Sequence, residues 1–100
     1  MKKIYVCSKL RGNIKQNIKK AKGYCKFVIS GGCIPYAPHI YFTQFLDDNK
    51  ISDRKIGMSQ GLEWLKFCDE IWVFDKDISE GMQKEIEFAK ENSMVIKYIK

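Results

Sequence analysis

Four short apolar runs alternate with longer segments of helical spacing, and this alternation restricts the fold more than any other feature of the chain. The runs lie at Lys3 to Cys7, Cys33 to Pro38, Glu70 to Phe74 and Met94 to Ile99. Runs of β-branched and aromatic residues bounded by turn residues are typical of buried strands. Helical crossovers between such strands favour a parallel sheet with right-handed connections. We therefore predict a small three-layer α/β fold, an open parallel sheet of four strands in the order 2-1-3-4, flavodoxin- or Rossmann-like, with helices on both faces.

The first predicted helix has a clear beginning and end. Asn13 is its predicted N-cap, and the Gly31-Gly32 pair is its predicted stop. Apolar residues recur between them at intervals of three and four: Ile14, Ile18, Ala21, Cys25 and Val28. This spacing predicts one amphipathic helix.

Two further helices are predicted before the third and fourth strands. A helical turn within residues 41–46 precedes the second, for which Ser52 is the predicted cap and Ile56, Leu62 and Leu65 are the predicted inner residues. Gly57 and Gly61 inside it indicate close packing or the approach of a ligand. The third helix is predicted from Ser79 to Asn92, with Met82, Ile86 and Ala89 facing inward.

Length and composition restrict the class of protein. One hundred residues predict a single domain over 1–100, with 45% hydrophobic and 30% charged residues. No apolar run approaches the roughly 20 residues of a membrane span, and the apolar part of the N-terminus is too short for a signal peptide, so we expect a cytoplasmic protein without a membrane partner. The four cysteines form no C-x-x-C pair and His39 is the only histidine, so neither zinc, another metal nor a cofactor is predicted.

The formal charge of +6 comes largely from lysines of the first helix: Lys15, Lys19, Lys20, Lys22 and Lys26. A solvated helix face is the favoured interpretation. Attraction of anionic small ligands and binding of nucleic acid are the alternatives. No nucleic-acid-binding motif accompanies the lysines, so nucleic acid is not the expected partner.

The predicted strand order places two loops beside each other at the carboxyl ends of strands 1 and 3. In the first loop, Ser8, Arg11 and Gly12 offer a hydroxyl, a guanidinium and an accessible backbone to a phosphate. The second loop leads into a helix start at Ser79, where unpaired N–H groups suit an anion. Glu85 lies six residues after Ser79, so its carboxylate is expected in the same crevice. From spacing alone, an ordinary turn and an exposed helix glutamate remain alternatives.

Both loops together resemble the nucleoside 2-deoxyribosyltransferase-like superfamily, and within it most closely the 2'-deoxynucleoside 5'-phosphate N-hydrolases. The resemblance lies in Ile4 to Gly12 and in the segment from Asp69 to Ala89, which contains Ser79-x-Gly81-x-x-x-Glu85. These segments cover less than half of the chain. The whole chain also resembles an uncharacterised bacterial and phage branch that carries Ala37-Pro38-His39 and Ser79-Glu80-Gly81-Met82.

The resemblance implies a function in which a nucleotide or nucleoside is the substrate. Glu85 is then the nucleophile of an N-glycosidic bond hydrolase or deoxyribosyltransferase, and Tyr5 orients its carboxylate. The implied substrate-binding residues are Ser8, Arg11, Gly12, Ser79, Gly81, Met82 and His39. For His39, a local hydrogen bond within its loop is the alternative.

One departure from the family leaves a second function open. The superfamily has an aspartate just before Leu62-Glu63-Trp64-Leu65, and this chain has Gly61 there. A non-catalytic nucleotide-binding protein, a sensor or a sequestering protein, is therefore the alternative to an enzyme. The aromatic residues Tyr41, Phe42, Trp64 and Phe67 exceed what a small core accommodates, so we also predict a homodimer or a higher homo-oligomer.

Overall fold

A four-stranded parallel sheet with the strand order β2-β1-β3-β4 organises the computed structural model, which describes residues 1–100. The elements in chain order are β1 (Lys3–Cys7), α1 (Ile14–Ser30), β2 (Ile34–Tyr36), α2 (Pro38–Phe42), α3 (Ile51–Leu65), β3 (Glu70–Val73), α4 (Glu80–Glu91) and β4 (Val95–Tyr98). The predicted fold class and strand order are confirmed. None of the helices has the length and apolar character needed to cross a membrane.

The central strand β1 is buried on both faces, and its side chains divide the core into two layers. Ile4 and Val6 pack with Val28 of α1 on one face of the sheet. Tyr5 and Cys7 point to the opposite face, where they join a core cluster of residues from β3, α3 and α4: Leu65, Ile71, Val73, Met82, Ile86 and Ala89. Because side chains alternate along a strand, β1 supplies both faces of the three-layer structure. Helices on both faces are therefore confirmed.

Helix α1 begins and ends where the sequence predicts. The Asn13 side chain accepts a hydrogen bond of 3.2 Å from the backbone N–H of Gln16, as an N-cap does. At the other end, Gly32 has a φ of +79°, a conformation that residues with a Cβ rarely adopt. The five lysines of α1 are exposed and take part in none of the ion pairs of the protein.

The crossover between β2 and β3 differs from its prediction. Helix α2 begins at Pro38 rather than within residues 41–46, because proline fits the first position of a helix, where its missing N–H is not needed. Helix α3 begins at Ile51 after Lys50, so the prediction of Ser52 as its cap is wrong. The Asp53 carboxylate instead accepts a bond of 2.9 Å from the backbone N–H of Asp47 and fixes the preceding loop.

The resulting phase of α3 also exposes one residue that was expected to be inside. Ile56 has 43% of its surface exposed, so its predicted inward position is wrong. Gly61 and Leu65 are buried and Leu62 is half-buried, as the pattern predicts for the last turns. In α4, the three residues that were predicted to face inward are all buried: Met82, Ile86 and Ala89.

A buried carboxylate closes the amino-terminal edge of the sheet. Glu70, the first residue of β3, accepts hydrogen bonds from Lys2 Nζ at 2.7 Å and from Trp72 Nε1 at 2.9 Å. The Nζ atom of Lys97 on β4 lies 3.3 Å from Oε1 of Glu70, the oxygen to which Trp72 donates. These bonds, with the lysine charges, lower the pKa of Glu70 to about 2. The carboxylate therefore remains ionised and ties the N-terminus and β4 to the start of β3.

Aromatic side chains form an exposed surface beside β2, α2 and α3. We call Tyr41, Phe45, Trp64 and Phe67 the aromatic patch; their exposed fractions are 44%, 60%, 45% and 70%. The Tyr36 and Trp64 rings stack with centroids 5.1 Å apart, which connects the patch to the sheet. Phe42, in contrast, is buried inside the protein.

Candidate active site

A cleft of about 760 Å³ opens at the carboxyl end of β1, between the loop after β1, helix α2, helix α3 and the start of α4. Seven of the nine residues predicted for the site line it: Tyr5, Arg11, His39, Ser79, Gly81, Met82 and Glu85. The other two, Ser8 and Gly12, do not line the cleft, although both belong to the loop that forms one of its walls. The fold thus brings together residues up to 80 positions apart in the sequence.

The loops after β1 and β3 are held side by side. The backbone N–H of Phe74 donates to the carbonyl of Cys7 at 3.0 Å. The Asp75 carboxylate accepts the backbone N–H of Lys9 at 2.7 Å and the Tyr24 hydroxyl at 3.1 Å. A surface ion pair of 2.6 Å between Lys9 and Asp77 lies next to these bonds. The adjacency expected from the strand order is therefore present, with Asp75 as the main connection.

Glu85 lies at the inner end of the cleft with only 4% of its surface exposed. The Tyr5 hydroxyl donates a hydrogen bond to its Oε2, and the Cys7 sulfur lies 3.4 Å from its Oε1. Burial raises the pKa of Glu85 to about 7, while the bonds from Tyr5 and Cys7 act in the opposite direction. No lysine or arginine is paired with this carboxyl. Glu85 is therefore a carboxyl that exchanges its proton near neutral pH.

Gly61 allows α3 to pass directly over this pair. A Cβ atom at Gly61 would lie 3.3 Å from the Tyr5 hydroxyl oxygen and 3.9 Å from Cβ of Pro38. The first of these distances is tighter than ordinary van der Waals contact, so a larger residue would displace the hydroxyl or the helix. The sequence-based indication of close packing at Gly61 is confirmed. Gly61 therefore borders the Tyr5 hydroxyl.

The start of α4 forms another part of the cleft wall. Ser79 is the N-cap, since its Oγ accepts the backbone N–H of Met82 at 3.2 Å. Glu80 and Gly81 follow as the first helical residues, whose N–H groups have no partner within a helix. The Met58 side chain from α3 approaches Gly81, where an added Cβ atom would lie 3.3 Å from Met58 Cε. An anion at this helix start would therefore lie beside a flexible apolar side chain.

Arg11 and Asp48 lie near each other on the cleft wall. The guanidinium Nη1 of Arg11 is 3.9 Å from Oδ2 of Asp48 and 3.5 Å from the Asp48 carbonyl oxygen. Oδ2 is buried and accepts no hydrogen bond from the protein. The pKa of Asp48 is raised above its usual value because burial outweighs the opposing effect of the Arg11 charge. This orphaned oxygen can accept a hydrogen bond from a ligand hydroxyl or amine.

His39 combines a local bond with a position on the cleft. Its Nε2 lies 2.7 Å from the carbonyl oxygen of Ser8, and because a carbonyl only accepts, this nitrogen carries the proton. Burial lowers the pKa of His39, so the ring is uncharged near neutral pH and its Nδ1 is an acceptor. The Ser8 hydroxyl is buried without a partner in the protein. His39 thus makes the local hydrogen bond that was considered as an alternative, and its ring also lines the cleft.

The charges that line the cleft are nearly balanced. Four cationic side chains (Arg11, Arg54, Lys55 and Lys84) and five acidic ones (Asp48, Asp53, Glu63, Glu80 and Glu85) contribute to its wall. No group of three or more histidine, cysteine, aspartate or glutamate side chains is arranged to hold a metal ion. The cleft therefore has no excess of positive charge for a polyanionic ligand.

Two residues of the site were not identified from the sequence. Cys7 follows Tyr5 by two positions in a strand, which places both on one face of the sheet, and this parity was an available signal. Asp48 belongs to the polar loop Asp47-Asp48-Asn49, and nothing in that pattern distinguishes the residue whose carboxylate oxygen is buried from its two exposed neighbours.

Comparison with known proteins agrees with this architecture. The sequence model of a family described as "Domain of unknown function (DUF7768)" matches residues 2–99. No curated protein matches the sequence.

Two solved structures are similar to the whole chain. One is a 2-deoxyribosyltransferase from the psychrotolerant bacterium Bacillus psychrosaccharolyticus, with a TM-score of 0.75, 14% identity, and coverage of 96% of this chain and 70% of that one. The other is a 2-desoxiribosyltransferase from Leishmania mexicana, with a TM-score of 0.69, 13% identity, and coverage of 99% and 64%. The chain thus spans about two thirds of the length of these enzymes. At such identities the likeness shows the fold, so the predicted nucleoside deoxyribosyltransferase-like fold is confirmed.

Proposed function

The chain belongs to the DUF7768 family, and we propose that it cleaves or transfers the N-glycosidic bond of a nucleoside or a nucleoside 5'-monophosphate. One observation carries the proposal. Glu85 is buried at the inner end of a cleft and is held by uncharged donors, Tyr5 and Cys7, instead of by cations. Glutamates that only stabilise a fold are usually paired with a cation or exposed to water.

The proposed reaction uses Glu85 as the nucleophile. Its ionised carboxylate attacks the anomeric carbon of the sugar, the bond from that carbon to the base nitrogen breaks, and the base leaves with the bonding electrons and takes up a proton from water. The product is a glycosyl ester on Glu85, which water hydrolyses or a second base displaces. A pKa of about 7 leaves a substantial fraction of Glu85 ionised at neutral pH.

The remaining predicted residues are assigned to positioning and substrate binding. Tyr5 holds the Glu85 carboxylate in place through its hydroxyl. We propose that the start of α4, at Ser79, Gly81 and Met82, and the loop at Ser8, Arg11 and Gly12 bind a 5'-phosphate. His39 would lie near the base, since its uncharged ring lines the same cleft.

The balanced charge of the cleft restricts the class of substrate. One phosphate can be accommodated by Arg11 and the helix start. A diphosphate or triphosphate would need a cationic excess that the cleft does not have. We therefore propose a nucleoside or a nucleoside monophosphate as the substrate, similar to the substrates of the 2'-deoxynucleoside 5'-phosphate N-hydrolases. We also propose that the chain belongs to a bacterial and phage branch of that superfamily.

A non-catalytic nucleotide-binding protein is the second candidate. Gly61, where the superfamily has an aspartate, supports this alternative, because a glycine has no side chain that could place a second carboxylate, besides that of Glu85, next to the Tyr5 hydroxyl. Such a protein would be stabilised by a nucleotide without consuming it.

Release of free base separates the two candidates. The protein is incubated with deoxynucleoside monophosphates and nucleosides, and released base is followed by chromatography. Glu85→Gln is compared with Glu87→Gln, a matched control on the exposed side of the same helix. We expect base release by the wild type and the control, and a rate at least about 10³-fold lower for Glu85→Gln. No release by the wild type, or equal release by Glu85→Gln, would contradict the enzymatic proposal.

Oligomerisation remains a prediction, for which the aromatic patch is the proposed surface. Its exposed rings lie on one side of the molecule and connect to β2 through Tyr36. Light scattering after size-exclusion chromatography should give the mass of a dimer or a larger oligomer, and a monomer at all concentrations would exclude it. A single domain over residues 1–100 and a cytoplasmic location also stay predictions.

A further inference from the structure

Cys7 is the second side chain that β1 directs at the proposed nucleophile. It has no exposed surface, and its sulfur lies 3.4 Å from Oε1 of Glu85, within hydrogen-bond distance for sulfur. The Tyr5 hydroxyl donates to the other carboxyl oxygen. The two residues are i and i+2 in the strand, so both point to the same face of the sheet. One strand thus contacts both oxygens of one carboxyl.

The chemistry of the pair determines which group donates. Burial, together with the neighbouring Glu85, keeps the pKa of Cys7 far above its usual value, so the group remains a thiol and carries a proton. The only other acceptor near the sulfur is the Met82 carbonyl oxygen at 4.0 Å. The S–H bond is therefore directed at Glu85, which accepts.

We propose that Cys7 is a positioning residue for Glu85, with a thiol that donates to Oε1 and favours the ionised, nucleophilic form of the carboxyl. The catalytic consequence rests on the proposed function. The effect on ionisation rests only on the contact between sulfur and carboxyl oxygen. Hydrogen bonds to an anion favour that anion, and because no cation is paired with the Glu85 carboxyl, each donor has a larger share of the effect.

The other groups packed around Glu85 leave this role to Tyr5 and Cys7. Strand β2 contributes Tyr36 to these surroundings. Burial raises the pKa of this phenol, so it stays uncharged. Helix α3 contributes Gly61, which has no side chain, next to the Tyr5 hydroxyl. Asp75 follows β3 and acts on Cys7, where it further disfavours the thiolate. No charged group on these elements compensates for the loss of the thiol.

The experiment measures the ionisation of Glu85 directly. Carboxyl carbons are labelled in the wild type and in Cys7→Ala, and the Glu85 resonance, assigned by its loss in Glu85→Gln, is followed by NMR as a function of pH. We expect the titration midpoint to rise by about 0.5 to 1 pH unit in Cys7→Ala. Cys68→Ala is the matched control, because that thiol packs against the same core cluster but donates to the Trp64 carbonyl. An unchanged midpoint in Cys7→Ala, or an equal rise in the control, would overturn the inference.

A second variant separates the donor from the volume of the sulfur. Cys7→Ser retains a donor at the same place, so its midpoint should be at or below that of the wild type. A rise in Cys7→Ser would show that packing, not the donor, determines the ionisation of Glu85, and it would overturn the inference even where Cys7→Ala fails to fold. The acidic limb of the pH dependence of kcat/KM should move in the same direction as the midpoint. The midpoint needs no turnover, so this inference and the proposed function fail separately.

Discussion

Glu70 on strand β3 and Glu85 on helix α4 are two buried glutamates at opposite ends of the sheet, with exposed fractions of 3% and 4%, and their environments are opposite. Glu70 lies at the amino-terminal edge, beside Lys2 and Lys97, and its pKa is lowered to about 2. Glu85 lies at the carboxyl-terminal edge, beside Tyr5 and Cys7, and its pKa is raised to about 7. The first group is fixed in its ionised form. The second can be either protonated or ionised near neutral pH.

This difference indicates what each edge of the sheet contributes. Cations around Glu70 compensate the cost of burying a charge, and the bonds hold three segments of the chain together. Around Glu85 the compensation is incomplete, which costs stability and leaves a reactive carboxyl in a cleft. In open α/β sheets, ligands bind at the carboxyl ends of the strands, which is the edge where Glu85 lies.

The largest expected change in stability comes from Glu85→Gln. The folded pKa of about 7 lies above the unfolded value of 4.5, so ionisation of Glu85 destabilises the fold. This destabilisation is absent below pH 4.5, grows between about pH 4.5 and 7, and is constant above pH 7. Removing it should raise the free energy of unfolding by about 3 kcal/mol at pH 8 and by little at pH 4. Urea unfolding at the two pH values measures this. A variant that is less stable than the wild type at pH 8 would break the comparison.

Gly61→Ala should reduce turnover by about tenfold, because its Cβ would lie 3.3 Å from the Tyr5 hydroxyl and shift the donor that holds Glu85. Gly23→Ala is the control, on helix α1 outside the cleft lining, where no atom lies within 4 Å of the added Cβ. The control should retain its turnover and gain about 0.5 to 1 kcal/mol of stability from the better helix former. Steady-state base release measures both. Equal activities of the two variants would show that the space beside Tyr5 does not matter.

Glu70→Gln should change stability in the opposite direction from Glu85→Gln. Loss of the ionised partner of two lysines should lower the free energy of unfolding at pH 8 by about 1 kcal/mol, a modest value because Lys2 and Lys97 are more than half exposed. The Glu70 contribution is present above about pH 4.5 and is lost as the pH falls towards 2, since its folded pKa is lowered. Thermal unfolding between pH 3 and 8 tests the window. A stabilising effect at pH 8 would make the two glutamates equivalent.

The smallest expected effect concerns Asp48, whose environment lies between those of the two glutamates. Its buried Oδ2 is 3.9 Å from Arg11 and has no hydrogen bond. Asp48→Asn removes the negative charge beside Arg11, so KM for a 5'-monophosphate should fall about two- to fivefold relative to KM for the nucleoside. Parallel steady-state assays give the ratio. An unchanged ratio would show that Arg11 does not meet the phosphate.

Much of the architecture could be predicted because it depends on local patterns. The caps at Asn13 and Ser79 are single residues that satisfy their own helices, and the apolar runs coincide with the strands. The start of α3 was missed because the helix has no side-chain cap: Lys50 precedes it, and Asp53 of its first turn accepts a bond from the backbone of Asp47 instead. Helix-cap patterns do not report such a bond between a helix side chain and the loop before it.

The candidate site could be predicted only in part, for the same reason. The spacing from Ser79 to Glu85 and the loop with Arg11 identify which residues approach one crevice. The properties of Glu85 depend on contacts with residues 78 and 80 positions away in the sequence. Its burial follows from packing against β1, and a helix glutamate carries no sign of this in its neighbours. The raised pKa of Glu85 therefore follows from the three-dimensional structure and could not be predicted from the sequence pattern.

The most direct test of the central claim, that Glu85 is a nucleophile, is mass spectrometry of the covalent intermediate. The protein is quenched with acid during turnover of a substrate found in the base-release assay and digested with trypsin, which yields residues 85–90 as one peptide. We predict that this peptide gains the mass of the sugar or sugar phosphate, that fragmentation assigns it to Glu85 and not to Glu87, and that Glu85→Gln shows no adduct. Turnover with the adduct on another residue, or the same adduct in Glu85→Gln, would contradict the account.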